Sequence, residues 1–239
     1  MTDFELNKIK ALILDMDGVL WRESDPIGDL PATFARFKSK GLKVMLATNN
    51  ATRTPKQYIE KLSGFGVAID EQQVINSAMG VAYLLKKRFP GGGPVYIFGE
   101  IGLQTALQKA GFYHSEDPGL AVIASMDREI TFWKMKKATL LIRSGIPFYF
   151  TNPDRTFPTP EGLIPGAGSI LAALETAKVW QIKEDIRVPQ TQTSWIALND
   201  CDSWEDIVGE VFGEVAQERV NELERQAAAA RAAVVAVEQ

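Results

Sequence analysis

The sequence predicts an α/β fold: parallel sheets with helical crossovers, arranged in two modules and followed by a helical tail. Three observations predict it. Strand-like apolar runs alternate with amphipathic segments for most of the chain, "PGGGP" at 90–94 interrupts that rhythm, and after Ala177 it fades into a helix-forming stretch. Strands separated by helical crossovers are the pattern of parallel sheets covered by helices.

The elements follow in order. "ALIL" (11–14) reads as a short strand buried on both faces. In "LPATFARFKSKGL", Leu30, Phe34 and Phe37 recur at helical spacing and Gly41 is a stop signal. "KVMLAT" (43–48) is the second strand, and Thr54-Pro55 begins a helix in which proline takes the first turn, where its missing N–H is not needed. Another helix starts at Ser77. "PGGGP" reads as a linker or domain boundary. Beyond it, "PVYIFG", "IGLQTALQKAGF", "LAVIAS", "ITFWKMKKATLLIRSG" and "PFYFTN" resume the alternation. At the end, Val220, Leu223, Ala227, Ala230, Val234 and Val237 form a coiled-coil-like seam, which fits a helix packed on its own domain or one that dimerises.

Bulk composition narrows the function. The 239 residues carry a net charge of -4, so nucleic acid is not an expected partner. One cysteine, Cys201, excludes an internal disulfide and a multi-cysteine zinc site, and fits a reducing compartment. One histidine, His114, argues against His-rich metal sites and against a Ser-His-Asp hydrolase. No run approaches the roughly 18 apolar residues of a membrane span, and the N-terminus does not resemble a signal peptide. The expectation is a cytoplasmic protein with no membrane partner.

The chemistry begins at "DMDGVLW". In an extended backbone, residues two apart project to one side, so Asp15 and Asp17 can converge beyond the end of the first strand. Such strand ends border the ligand crevice of open parallel sheets. Two converging carboxylates call for a cation, and Mg²⁺ suits oxygen ligands while keeping waters and phosphate oxygens in its shell. Asp15 would be a nucleophile toward phosphorus, and Asp17 an acid and base serving the leaving alcohol and then water. A simple turn is the competing reading. A calcium loop fails, because it needs glycine at its sixth position and Gly18 is the fourth. In "ATNNATRTP", Thr48, Asn49 and Asn50 follow the second strand and offer the donors that phosphate oxygens require, although Asn-Asn before a helix is also an ordinary cap.

With both stretches in view, the chain resembles the haloacid dehalogenase superfamily of phosphatases. More narrowly, it is similar to the class with a large α/β cap inserted after the second motif, the NagD and p-nitrophenyl phosphatase-like proteins. "DMDGVLW" and "ATNNATRTP" carry the two motifs; "VYIFGEIGLQTALQKAGF" and "FTNPDRTFPTPEGLIPGAGSILAALETA" resemble cap segments. The likeness runs from about residue 9 to 177. It implies a Rossmann-like core begun by residues 1–87, a cap over 88–177, and a divergent tail over 178–239 that leaves the core incomplete. It further implies that Asp15 and Asp17 hold Mg²⁺ (Asp17 through its backbone carbonyl), that Thr48, Asn49 and Asn50 bind the phosphoryl group, and that Asn152, Asp154 and Phe157 select the substrate. That substrate would be a small phosphorylated metabolite.

The pattern departs after "ILAALETA". The lysine and late acidic motifs of such phosphatases have no recognisable counterpart: Lys183 and Arg187 lack the context, and Asn199, Asp200, Glu205, Asp206, Glu210 and Glu214 are makeshift matches. Two readings therefore stand. One is a Mg²⁺-dependent phosphatase acting through an aspartyl-phosphate. The other is a catalytically impaired phosphate-ligand binding or assembly module, with homo-oligomerisation through the cap or the C-terminal helix. Dehalogenase chemistry is disfavoured by the second aspartate and the large cap.

Overall fold

The computed structural model describes residues 9–159, 161–177, 185–187 and 195–198. These fall in the first of two compact units, Met1–Asp200. The seam helix expected over 220–237 and the acidic candidates between 199 and 214 lie outside the described residues.

The chain opens with β1 (Ala11–Asp15), the short strands β2 (Trp21–Arg22) and β3 (Asp25–Pro26), and α1 (Leu30–Ser39). There follow β4 (Lys43–Thr48), α2 (Pro55–Gly64), β5 (Val74–Asn76) and α3 (Ser77–Arg88). The second run is β6 (Gly93–Phe98), α4 (Ile101–Lys109), β7 (Phe112–His114), β8 (Ala121–Ala124), α5 (Phe132–Arg143) and β9 (Phe148–Phe150). The described chain ends with β10 (Thr156–Thr159), β11 (Gly162–Pro165), α6 (Ala167–Ala177), β12 (Asp185–Arg187) and β13 (Trp195–Leu198).

Two sheets result. The first has the order β13-β1-β4-β5 and the second β12-β9-β8-β6-β7. In the first, β1, β4 and β5 are parallel, with Asp15 opposite Ala47 and Thr48 opposite Asn76. Their C-terminal ends therefore come together along one edge. The starts of α1, α2 and α3 have local causes: the Asp29 side chain accepts from Ala32 N–H, Thr54 and Gln57 form a reciprocal capping box, and Asn76 accepts from Met79 N–H.

One core cluster joins Met16, Leu20, Trp21, Leu30, Val44, Leu46, Tyr58 and Leu62, sealing the first sheet beneath α1 and α2. Another joins Phe98, Val122, Ala124, Leu141, Phe148, Phe150 and Leu171, sealing the second beneath α5 and α6. No helix among the described residues is long and apolar enough to cross a membrane.

Several expectations are corrected. β1 is not buried on both faces: Ala11 and Ile13 are buried, while Leu12 and Leu14 are only half-buried. Within "PGGGP", Gly93 and Pro94 already belong to β6. Gly92 there lies so close to Gly111 that a Cβ would stand 2.2 Å from its carbonyl oxygen, so these glycines serve close backbone approach as well as the turn. Past Ala177 two further strands are described: β12 pairs in parallel with β9, and β13 runs antiparallel beside β1. That last strand departs from the parallel pattern the alternation implied.

Candidate active site

The site forms where β1, β4 and β5 end. Asp15 closes β1 and is half-buried, its Oδ1 accepting from Met16 N–H at 2.8 Å. Burial raises its pKa above the ordinary aspartate value, the Met16 N–H works against this, and the charge of Asp17 adds to it. The two carboxylates therefore stand near enough to repel.

Beyond Asp15 the chain turns sharply. Leu20 N–H donates to Met16 O at 2.9 Å and Gly18 N–H to Trp21 O at 2.8 Å, while Gly18 takes φ +82°. A side chain is strained in that region, which is why glycine stands there. The turn brings Trp21 back over Asp17, and its indole Nε1–H donates to Asp17 Oδ1 at 2.7 Å.

Thr48 ends β4 and is buried. Its Oγ1 accepts from Asn50 N–H at 3.1 Å, and Asn50 Oδ1 in turn accepts from both the N–H and the hydroxyl of Thr52. The Asn50 carbonyl is thus engaged in shaping the loop. Asn49 is exposed and donates from Nδ2 to Asp154 Oδ2 at 2.8 Å. The same loop is braced from outside: Ser77 Oγ donates to Asn49 O, Asn76 Nδ2 to Arg53 O, and Gly102 N–H to Thr52 O.

Of the three residues expected to select substrate, Asp154 is hydrogen-bonded to this loop. Asn152 accepts from Asp154 N–H and so fixes the turn that presents it. Phe157 is 39% exposed on the β10–β11 hairpin, opposite Ile164. The turn packs against the start of α6, where Gly168 N–H donates to Asp154 O and Gly166 N–H to Arg155 O. A Cβ on Gly168 would meet Pro153 O at 2.1 Å. The glycines of "PGAGS" therefore seat a backbone contact.

Sequence reasoning missed three neighbours of the carboxylates. Trp21 is fully buried, stacks on Tyr58 with centroids 6.3 Å apart, and carries Lys61 Nζ 4.2 Å from its ring centroid. Lys61 also donates to Glu23 O; burial lowers its pKa while Asp17 opposes that. The Tyr58 hydroxyl lies toward Thr48, yet no acceptor among the described residues meets it at hydrogen-bonding geometry. Burial and the charges of Asp17 and Asp15 push its pKa up. Trp21 was visible in "DGVLW", but only the folded turn shows that its N–H returns to Asp17.

The donor set tests the fit of a metal. Two carboxylates at a strand end, one of them raised by burial and by its neighbour's charge, would gain from a cation. Among the described residues no group of three or more His, Cys, Asp or Glu side chains is placed to hold one. So few protein oxygens, the Asp15 carboxylate with the backbone carbonyl of Asp17, match magnesium, which keeps several waters and takes further oxygens from a phosphate, better than an ion requiring a full protein cage.

Comparison with known proteins adds an independent line. Residues 12–113 match the family model of the haloacid dehalogenase-like hydrolases. The acid sugar phosphatase of Staphylococcus aureus (strain USA300) is 33% identical over 173 residues, 72% of this chain and 66% of that protein. The chain thus spans just under two thirds of the length of the curated relatives it matches. The 4-nitrophenylphosphatase of Thermotoga maritima superposes with a TM-score of 0.69 at 30% identity, covering 74% of this chain and 67% of that one. The glycerol phosphate phosphatase of Mycobacterium tuberculosis, solved in complex with magnesium, gives 0.66 at 28% identity over 72% of this chain and 52% of that one.

Proposed function

The chain belongs to the haloacid dehalogenase-like hydrolase family, and from that premise we propose that it hydrolyses small phosphomonoesters through an aspartyl-phosphate on Asp15. The observation that carries this reading is the convergence, at one sheet edge, of Asp15, Asp17 and the loop beginning at Thr48. The relatives' phosphatase names support it.

In this reading an oxygen of the ionised Asp15 attacks phosphorus. The P–O bond to the alcohol breaks as Asp17 delivers a proton to the departing oxygen. Asp17 then takes a proton from water, which attacks the acyl phosphate, releases inorganic phosphate and restores Asp15. Thr48, Asn49 and Asn50 border the phosphoryl group, with Asn49 Nδ2 supplying a donor. A magnesium ion held by the Asp15 carboxylate and the Asp17 backbone carbonyl would screen the anionic ester from the anionic nucleophile.

Asp154 is positioned to accept hydroxyl hydrogen bonds from the alcohol portion, with Asn152 holding its turn and Phe157 at the periphery. Polyhydroxylated esters such as sugar or glycerol phosphates fit that chemistry, and the names of the relatives support the choice. The residues over 88–177 act as the cap, and the cytoplasm is the setting we assign.

Hydrolysis of 4-nitrophenyl phosphate that requires Mg²⁺ and vanishes in Asp15→Asn tests the reading. Phosphate binding by a folded chain without turnover would overturn it in favour of an impaired binding module.

A further inference from the structure

We propose that Trp21 is the positioning residue for Asp17, fixing which carboxylate oxygen exchanges a proton with the leaving group; this rests on the phosphatase reading above. Asp17 is exposed at a sharp turn, where a carboxylate would ordinarily sample several rotamers. Here its Oδ1 is held by the indole N–H at 2.7 Å. An indole N–H donates and cannot accept. Oδ1 accepts that bond best as an unprotonated carboxylate oxygen, so the bond directs the proton that Asp17 gives and takes to Oδ2.

The clamp is useful only if the ring itself cannot move. Trp21 is 0% exposed. Tyr58 lies nearly parallel to it, with 20° between the planes, and Phe65 packs at 6.1 Å between centroids. Lys61 stands over the ring and is itself tied to Glu23 O at the tip of the β2–β3 hairpin. A backbone bridge joins Asp17 to Trp21. Tyr58, Phe65, Lys61 and the bridge to Asp17 thus immobilise a donor whose single polar atom meets Asp17. Burying an indole N–H against a carboxylate also satisfies the donor, so the device needs no water.

The test separates positioning from general damage. Proton delivery matters most when the leaving alkoxide or phenoxide is unstable. The readout is kcat/KM, which reports steps up to alcohol release, for phenyl phosphate and 4-nitrophenyl phosphate. Trp21→Phe keeps a ring in the stack and removes the N–H. It is expected to lower kcat/KM for phenyl phosphate by about ten- to hundredfold, against about threefold or less for 4-nitrophenyl phosphate. Benzothienylalanine at position 21 preserves the ring outline and removes only the donor, so it gives the same comparison should Trp21→Phe unfold. Equal losses on both esters, or no loss with benzothienylalanine, overturn the proposal while leaving the phosphatase reading intact. A wild-type chain that hydrolyses neither ester with Mg²⁺ overturns the phosphatase reading, and this proposal with it.

Discussion

Asn49 and Asp154, 105 residues apart in sequence, share a hydrogen bond of 2.8 Å between amide Nδ2 and carboxylate Oδ2. The donor that the proposed mechanism assigns to phosphate is thus already engaged by an anion. A bound phosphate must compete for that N–H and tolerate a like charge beside it. Asp154→Ala is expected to tighten inhibition by inorganic phosphate by about three- to tenfold, in line with roughly 1 kcal/mol for such a bond. The same change should raise KM for glycerol or sugar phosphates, because their hydroxyls lose an acceptor. Inhibition and steady-state assays on one preparation read both effects.

Asp15 yields a pH prediction. Its carboxyl titrates above the ordinary aspartate value because burial, together with the charge of Asp17, disfavours the ionised form. A group shifted upward favours the folded state while protonated, and that contribution is lost as pH rises through its folded pKa. In the metal-free protein, Asp15→Asn should therefore raise Tm at neutral pH. The difference should shrink as pH falls through the raised pKa toward the ordinary one. Adding Mg²⁺ should stabilise the wild type and not the variant. Thermal melts across pH, with and without the ion, measure this.

Gly102 sets how closely α4 approaches the loop 49–53. A Cβ there would stand 2.4 Å from Ala51 O and 2.5 Å from Arg53 O, and the Gly102 N–H to Thr52 O bond of 3.1 Å would have to break. Gly102→Ala should cost about 1–3 kcal/mol of stability, as overpacking does. It should also raise KM by displacing the loop.

Ser77 supports the same loop from the other side, its hydroxyl 2.6 Å from Asn49 O. Ser77→Ala should destabilise the fold by about 1 kcal/mol. KM should rise more than kcat falls, because the loop proposed to meet phosphate is loosened while the carboxylates are untouched. Denaturant melts and steady-state kinetics separate the two.

The sequence disclosed much of this architecture because its punctuation is local. Thr54-Pro55 and Gln57 carry their own capping box, and "KVMLAT" coincides with β4 residue for residue. The placement of Asp15 and Thr48 at one sheet edge was legible because residues that end neighbouring parallel strands share an edge. Three kinds of feature were not. The strands Phe112–His114 and Val74–Asn76 are three residues long, and neighbouring strands complete their pairing. The antiparallel placement of Trp195–Leu198 beside β1 is a tertiary choice that no local pattern encodes. The Trp21–Asp17 bond depends on the turn angle at Gly18, and the Asn49–Asp154 bond joins segments whose proximity only the two folded sheets create.

In the proposed mechanism, Asp15 receives the phosphoryl group. The most direct measurement is acid quench of a single turnover on a radiolabelled phosphomonoester with Mg²⁺, followed by peptide mapping of the protein-bound label. A hydroxylamine-labile label is expected on the peptide containing Asp15 and is absent from Asp15→Asn. Turnover with no label at that position, or undiminished turnover by Asp15→Asn, would contradict this mechanism.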